Sequence, residues 1–139
     1  MKNHYLNLVE NNIIKKNIKS FVAIIGETPS KGARSPILWN TAFKNLSINK
    51  EMIALDVKKK NLSKLLLNLK NLDSFHGGSV TTPYKNLVLD YLDCIDRKAK
   101  KIGSVNTIVR VGKKFKGYNT DYYGCNYSLE LIKKKKKNT

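Results

Sequence analysis

Apolar residues in this chain fall in short strand-sized runs that alternate with stretches of helical spacing. The longest clean run, Phe21-Val22-Ala23-Ile24-Ile25, ends at Gly26 and is followed by the turn formers Glu27-Thr28-Pro29-Ser30-Lys31-Gly32, which predicts a buried strand and then a loop. Ser35-Pro36 comes next, with Ile37, Leu38, Thr41, Ala42 and Leu46 at helical spacing. Ser is a preferred cap and Pro is pre-set for the first helical position, so a helix over residues 35–46 with Ser35 as its N-cap is predicted. Residues 52–57 read as a second strand. Leu62, Leu65, Leu66, Leu69 and Leu72 step by three and four, the stripe of an amphipathic helix. It lasts barely two heptads, so it is core and not a coiled coil. Residues 74–81 form a third strand around Gly77-Gly78, stopping before Pro83, and residues 87–95 a helix. Residues 105–111 and 115–117 make a hairpin across the turn Gly112-Lys113-Lys114, and residues 122–134 close as a helix.

Strands alternating with helices predict an α/β fold: a single three-layer domain with a mainly parallel sheet flanked by helices, over residues 21–132. Residues 1–20, where Lys and Asn interrupt every apolar cluster, are expected to be a polar, frayed arm. Residues 133–139 are a Lys-rich tail. No internal repeat is present.

Composition adds class and compartment. The 139 residues are 41% hydrophobic, enough for a core. No apolar run nears the roughly 18 residues of a bilayer span, so no membrane partner is expected. The N-terminal MKNHYLNLVENNIIKK has no continuous apolar stretch of the kind a secretory leader carries. Cys94 and Cys125 are too few for a disulfide framework and make no CxxC pair, which suits a reducing, cytoplasmic location.

The formal charge of +17 raises the question of nucleic acid. Of the 27 basic residues, 24 are Lys and only Arg34, Arg97 and Arg110 are Arg, whereas bidentate readers of guanine and phosphate favour Arg. Lys and Asn together fill 40 positions, a global bias of the kind an AT-rich genome produces, and five lysines lie in the run 133–137. The charge is read as background and nucleic acid as the lesser alternative.

Three polar clusters fall where ligands bind in such sheets, at strand ends and the loops beyond. They are Ala33-Arg34-Ser35-Pro36, then Ser79-Val80-Thr81-Thr82-Pro83-Tyr84-Lys85, then Ser104-Val105-Asn106-Thr107 with Asn119-Thr120-Asp121. A helix start at Ser35 offers N–H groups and a hydroxyl to a carboxylate or phosphate. Lys85 and Asp121 could exchange protons with a reacting hydroxyl, and Thr81 and Asn106 could hydrogen-bond neighbouring ones. Together they suit a small polyhydroxylated acid. Each has a plainer explanation: a helix cap at Ser35, a solvated Lys85, a turn or cap at residues 119–121, and a strand-edge Asn106.

In order and wording, FVAIIG, RSPILWNTAF, GGSVTTPYK, IGSVNTIV and GYNTD resemble the N-terminal substrate-binding domain of shikimate dehydrogenase, over roughly residues 20–132. RSPILWNTAF and GGSVTTPYK look most like the multifunctional fungal-type proteins. The resemblance implies that Lys85 is the catalytic lysine and Asp121 its partner, handling substrate hydroxyls while a hydride passes between the ring carbon and NADP. It implies that Thr81 and Asn106 hydrogen-bond the substrate ring and that Ser35 holds the carboxylate. No metal is implied. Two positions depart from the family pattern. Ala33 stands where the first serine of SxSP falls, and Ser79 where an Asn normally opens NVTxPxK, so a quinate-like substrate is an alternative to shikimate.

A family enzyme is roughly twice this length and binds NADP on a second, Rossmann domain. No G-x-G-x-x-G occurs here, so no cofactor is expected to bind this chain alone. The ending LIKKKKKNT reads like translation through a run of adenines into an early stop. The expectation is thus a truncated or split substrate-binding domain, inactive alone, whose partner is an NADP-binding domain in cis or on another chain. The competing readings are a non-catalytic shikimate or quinate sensor and a basic nucleic-acid-binding domain.

Overall fold

The structure is a computed structural model that describes residues 4–13 and 20–137. Strand β1 (Phe21–Gly26) pairs in parallel with β2 (Glu51–Asp56) on one side and β3 (Phe75–Val80) on the other. The sheet continues through β5 (Thr107–Val111) and β6 (Lys114–Tyr118) to the short β4 (Cys94–Ile95), in the order β2-β1-β3-β5-β6-β4. Pairing is antiparallel from β3 to β5 and β5 to β6, and parallel from β6 to β4. Helices are α1 (Ser35–Asn45), α2 (Leu62–Lys70), α3 (Arg97–Ile102) and α4 (Thr120–Lys137).

The two-residue period of β1 and β2 explains the three layers. Phe21, Ala23, Ile25, Ile53 and Leu55 face the larger core, where α2 delivers Leu62, Leu65, Leu66 and Leu69. Ile24 and Met52 face the other way and meet Phe43 of α1. Each buried leucine contributes about 1.5–3 kcal/mol. Through the larger core runs an aromatic series, Tyr5 on Phe21, Phe21 on Phe75 and Phe75 on Phe115, at centroid distances of 5.7, 5.4 and 5.7 Å.

The Gly77-Gly78 pair is where β3 squeezes between its neighbours. A Cβ on Gly78 would lie 1.8 Å from the Ala23 carbonyl oxygen, and one on Gly77 2.2 Å from that of Ile108. Both residues also have positive φ, +152° and +121°. No other residue fits.

Three local expectations change. Residues 87–95 are not one helix: a 3-10 turn, Leu87–Tyr91, gives way to β4, because Asp93 N–H and Asp96 N–H find the Phe115 and Gly117 carbonyls of β6 at 3.0 and 2.9 Å. A short apolar run cannot distinguish helix from strand, and the open edge of β6 decides it. The sequence reading also missed α3, although its signals are present. Asp96 caps it, accepting from Lys98 N–H at 2.9 Å, and Gly103 closes it in the left-handed conformation. Finally, residues 4–13 are not frayed. Tyr5 is buried, Leu6, Leu8, Val9 and Ile13 pack on the larger core, and residues 10–11 hydrogen-bond the free edge of β2.

Candidate functional site

Because β1, β2 and β3 are parallel, their carboxyl ends share one edge of the sheet. The antiparallel hairpin brings a second set of residues there. Ser79 lies opposite Thr107, and Thr107 opposite Tyr118, so the start of β5 and the end of β6 fall at the same edge. All three polar clusters follow these strand ends.

Lys85 is held from both sides. Thr82-Pro83 is a cis peptide bond. The next residue, Tyr84, is fully buried; its hydroxyl donates to the Val57 carbonyl at 2.6 Å and its N–H to Thr81 O at 3.0 Å. Burial, with Glu27 adding to it, pushes the Tyr84 phenol up, so it remains a donor. Beyond it the Lys85 carbonyl accepts from Val105 N–H at 2.7 Å. The side chain then reaches Asp121, Nζ to Oδ2 at 2.7 Å, with Lys85 35% and Asp121 64% exposed. Asp121 sits in the first turn of α4, where the helix dipole favours a carboxylate. Asn119 fixes that turn: its Oδ1 accepts from Tyr122 N–H at 3.1 Å while its Nδ2 donates to Ser104 O at 3.0 Å.

Asn106 is buried and bound to the same turn. Its Oδ1 accepts from Thr120 N–H at 2.9 Å and Thr107 Oγ1 at 3.0 Å, and its Nδ2 reaches Thr120 Oγ1 at 2.9 Å. Thr81 is half-buried and anchored by its N–H to Ile25 O at 2.9 Å. Its Cγ2 occupies the space over Gly26, where a Cβ would come within 2.4 Å. Lys85 and Asp121 are thus in contact, and Asn106 is one residue away through Thr120.

Ser35 stands apart from the other four. It starts α1 at this edge, but the N-cap position belongs to Arg34, whose backbone is already helical, and no side-chain cap bond is made. The expected capping role of Ser35 is therefore corrected: Pro36 shifts it one position into the helix. Its hydroxyl is left uncommitted by the start of α1.

A cleft of about 400 Å³ adjoins the site on the α1 face of the sheet. Val22, Trp39, Phe43, Met52 and Val109 make its apolar wall, and His76, Ser79, Thr107 and Thr120 its polar one. Burial, then Lys50 and Arg110, lower the His76 value, which keeps the imidazole neutral at neutral pH. Thr107 and Thr120 join this cleft to the Asn106 network. Sequence reasoning saw them only as members of polar clusters; their positions across the hairpin were the missing information.

Arg110 is engaged in structure. It is largely buried, donating to the Leu72 carbonyl, two residues past α2, at 2.8 Å and pairing with Asp73 at 2.9 Å. Among the described residues no group of three His, Cys, Asp or Glu could hold a metal, and no helix is long and apolar enough to cross a membrane. Nor do they form a dinucleotide cradle: Gly77 and Gly78 lie inside a strand against backbone, with no room for a phosphate.

An α/β domain with a polar lysine–carboxylate edge beside an apolar cleft is a small-molecule binding unit. The family described as the shikimate dehydrogenase substrate binding domain matches residues 24–108, and the chain belongs to it. It is 48% identical over 104 residues to the shikimate dehydrogenase (NADP(+)) of Clostridium beijerinckii, covering 75% of this chain and 38% of that protein. The crystal structure of shikimate dehydrogenase 1 from Peptoclostridium difficile superimposes with a TM-score of 0.74 at 35% identity, over 82% of this chain and 43% of that one. That of shikimate 5-dehydrogenase from Thermus thermophilus, in complex with NADP(H) and shikimate, gives 0.73 at 28% identity, over 81% and 42%. The chain thus spans about two-fifths of the length of these relatives. The finer likeness to multifunctional fungal-type proteins is not among what they show.

Proposed function

We propose that this domain binds shikimate, or a closely similar polyhydroxylated cyclic acid, at the edge carrying Lys85 and Asp121. The observation that carries the reading is the 2.7 Å Lys85–Asp121 contact next to the Asn106–Thr120 network, in a domain whose relatives are shikimate dehydrogenases. Ser35 takes the substrate carboxylate with its hydroxyl and the N–H groups of the first turn of α1. Asn106 and Thr81 hydrogen-bond ring hydroxyls. The Lys85–Asp121 pair takes up the proton of the reacting hydroxyl, and returns it in the reverse direction; the hydride leaving the same carbon would be accepted by NADP(+) supplied by a joined domain.

The relatives are named for NADP(+), and their activity, interconversion of shikimate and 3-dehydroshikimate, is proposed for a protein that joins this domain to an NADP-binding one. Among the described residues the Gly77-Gly78 pair offers no phosphate cradle, so the part assigned to these residues is binding, orienting and proton movement. The 139 residues alone are expected to turn over no shikimate.

Calorimetric titration of the chain with shikimate, with quinate and with a DNA duplex tests the proposal. Shikimate binding lost in Lys85→Ala supports it. Quinate binding in its place points to the altered Ala33 and Ser79 positions. Salt-sensitive DNA binding that survives Lys85→Ala overturns it.

A further inference from the structure

We infer that Asp56 is a positioning residue, which sets the loop leading into Ser35 at a fixed place relative to Lys85. The inference rests on the reading just proposed for Ser35 and Lys85.

The loop between β1 and α1, residues 27–34, contains one 3-10 turn, Pro29–Lys31, and is otherwise irregular. Such a segment is floppy unless something outside it removes its freedom. Asp56, the last residue of β2, does so. It is 5% exposed, and both of its carboxylate oxygens are turned to one residue of the loop. Oδ1 accepts from Ser30 N–H at 2.8 Å, and Oδ2 accepts a short bond from the Ser30 hydroxyl. Charge-assisted bonds of this kind are stronger than neutral ones.

The main chain of Asp56 is fixed from the opposite side. Its carbonyl accepts from Glu10 N–H at 2.8 Å and its N–H donates to Asn11 Oδ1 at 2.9 Å. Asn11 Nδ2 completes the pairing on the Ala54 carbonyl at 2.9 Å. The N-terminal arm thereby supplies the free edge of β2 with the partners a further strand would give. The next residue, Val57, receives the Tyr84 hydroxyl that braces Lys85. Two adjacent residues therefore tie together the carboxylate side and the proton-transfer side of the site, and the arm holds the first of them, Asp56, from outside.

The consequence is selective. Loosening Asp56 displaces the group that meets the substrate carboxylate and leaves the sheet standing. Hydrogen exchange read by mass spectrometry tests this on the whole chain without ligand. In Asp56→Ala, which removes both bonds to Ser30, peptides covering residues 27–35 exchange at least about tenfold faster, the factor expected for the loss of even one of them, while β1 and β3 keep their protection. Asp56→Asn retains an acceptor for Ser30 N–H and restores most of the protection. Unchanged exchange in the loop, or equal acceleration of all strands, overturns the inference.

Titration with shikimate and with its methyl ester reads the same relationship at the ligand. Ser30→Ala, a change on an exposed loop residue, lowers the acid-to-ester affinity ratio severalfold. A ratio equal to that of the unaltered chain argues against positioning. Absence of any binding by the unaltered chain sinks the reading under the proposed function, and the exchange result still decides the role of Asp56.

Discussion

Asn40 and Met52 are joined as two strand residues are, although one of them is in a helix. The Asn40 Nδ2 donates to the Met52 carbonyl at 3.0 Å, and its Oδ1 accepts from the Met52 N–H at 2.7 Å. Met52 is two residues from Ala54 and four from Asp56, so Asn40 and Asn11 between them occupy one outward-facing row of β2. Replacing Asn40 by Leu leaves two backbone groups of β2 without protein partners. Loss of about 1–2 kcal/mol in urea unfolding is expected, with greater self-association in sedimentation.

The Lys85–Asp121 pair is half-exposed, and such pairs contribute little to stability. Lys85→Met is therefore expected to leave the melting temperature within a few degrees of the original while weakening shikimate binding by at least tenfold. A large drop in melting temperature would show the lysine to be a structural tie.

Asp93 links three segments. Its carboxylate receives Lys70 Nζ at 2.5 Å and the Phe115 N–H at 2.7 Å. The bond from Lys70, followed by that from Phe115, holds its value below the usual carboxylate range. A carboxyl lowered in the folded state stabilises the fold above its unfolded value and ceases to as pH falls through the folded one. Asp93→Asn should therefore be less stable than the parent near pH 7. The difference should shrink below about pH 4, near the unfolded carboxyl value, in urea melts across pH.

Gly78→Ala places a methyl group against the Ala23 backbone at a positive φ. Neither strand can yield without breaking the ladder that joins β1 to β3. A loss of about 3 kcal/mol or more is expected, and circular dichroism should show a chain largely unfolded at room temperature.

Much of the fold was legible in the sequence wherever burial alone decided the outcome. The run ending at Gly26, the leucines of α2 and the Gly112 turn all lie where the pattern puts them. What the pattern could not convey was long-range pairing. Leu87 to Ile95 has the apolar content of a helix, and only the open edge of β6, made by residues 114–118, pulls its second half into the sheet. Tyr5 looks like one apolar residue in a polar arm until Phe21 offers it a ring to stack on. At the site, residue types suggested Lys85 with Asp121, but nothing local announces Asp56 or Tyr84. Their importance comes from carbonyls and amides dozens of residues away. Ser35 shows the converse. A strong local signal named it a cap, and the register of Pro36 moved it one place inward.

The hairpin that brings Asn106 and Asp121 to the carboxyl edge of β1, β2 and β3 has its own tip at the opposite edge. Val111 and Lys114 pair there across Gly112 and Lys113, both exposed, with nothing within 4 Å of a Cβ added to Gly112. That tip is a natural port for added sequence. A fluorophore-binding tag or a short peptide inserted between Gly112 and Lys113 should leave shikimate affinity within about twofold of the parent. The same chain could then report on its ligand from the far side of its own sheet.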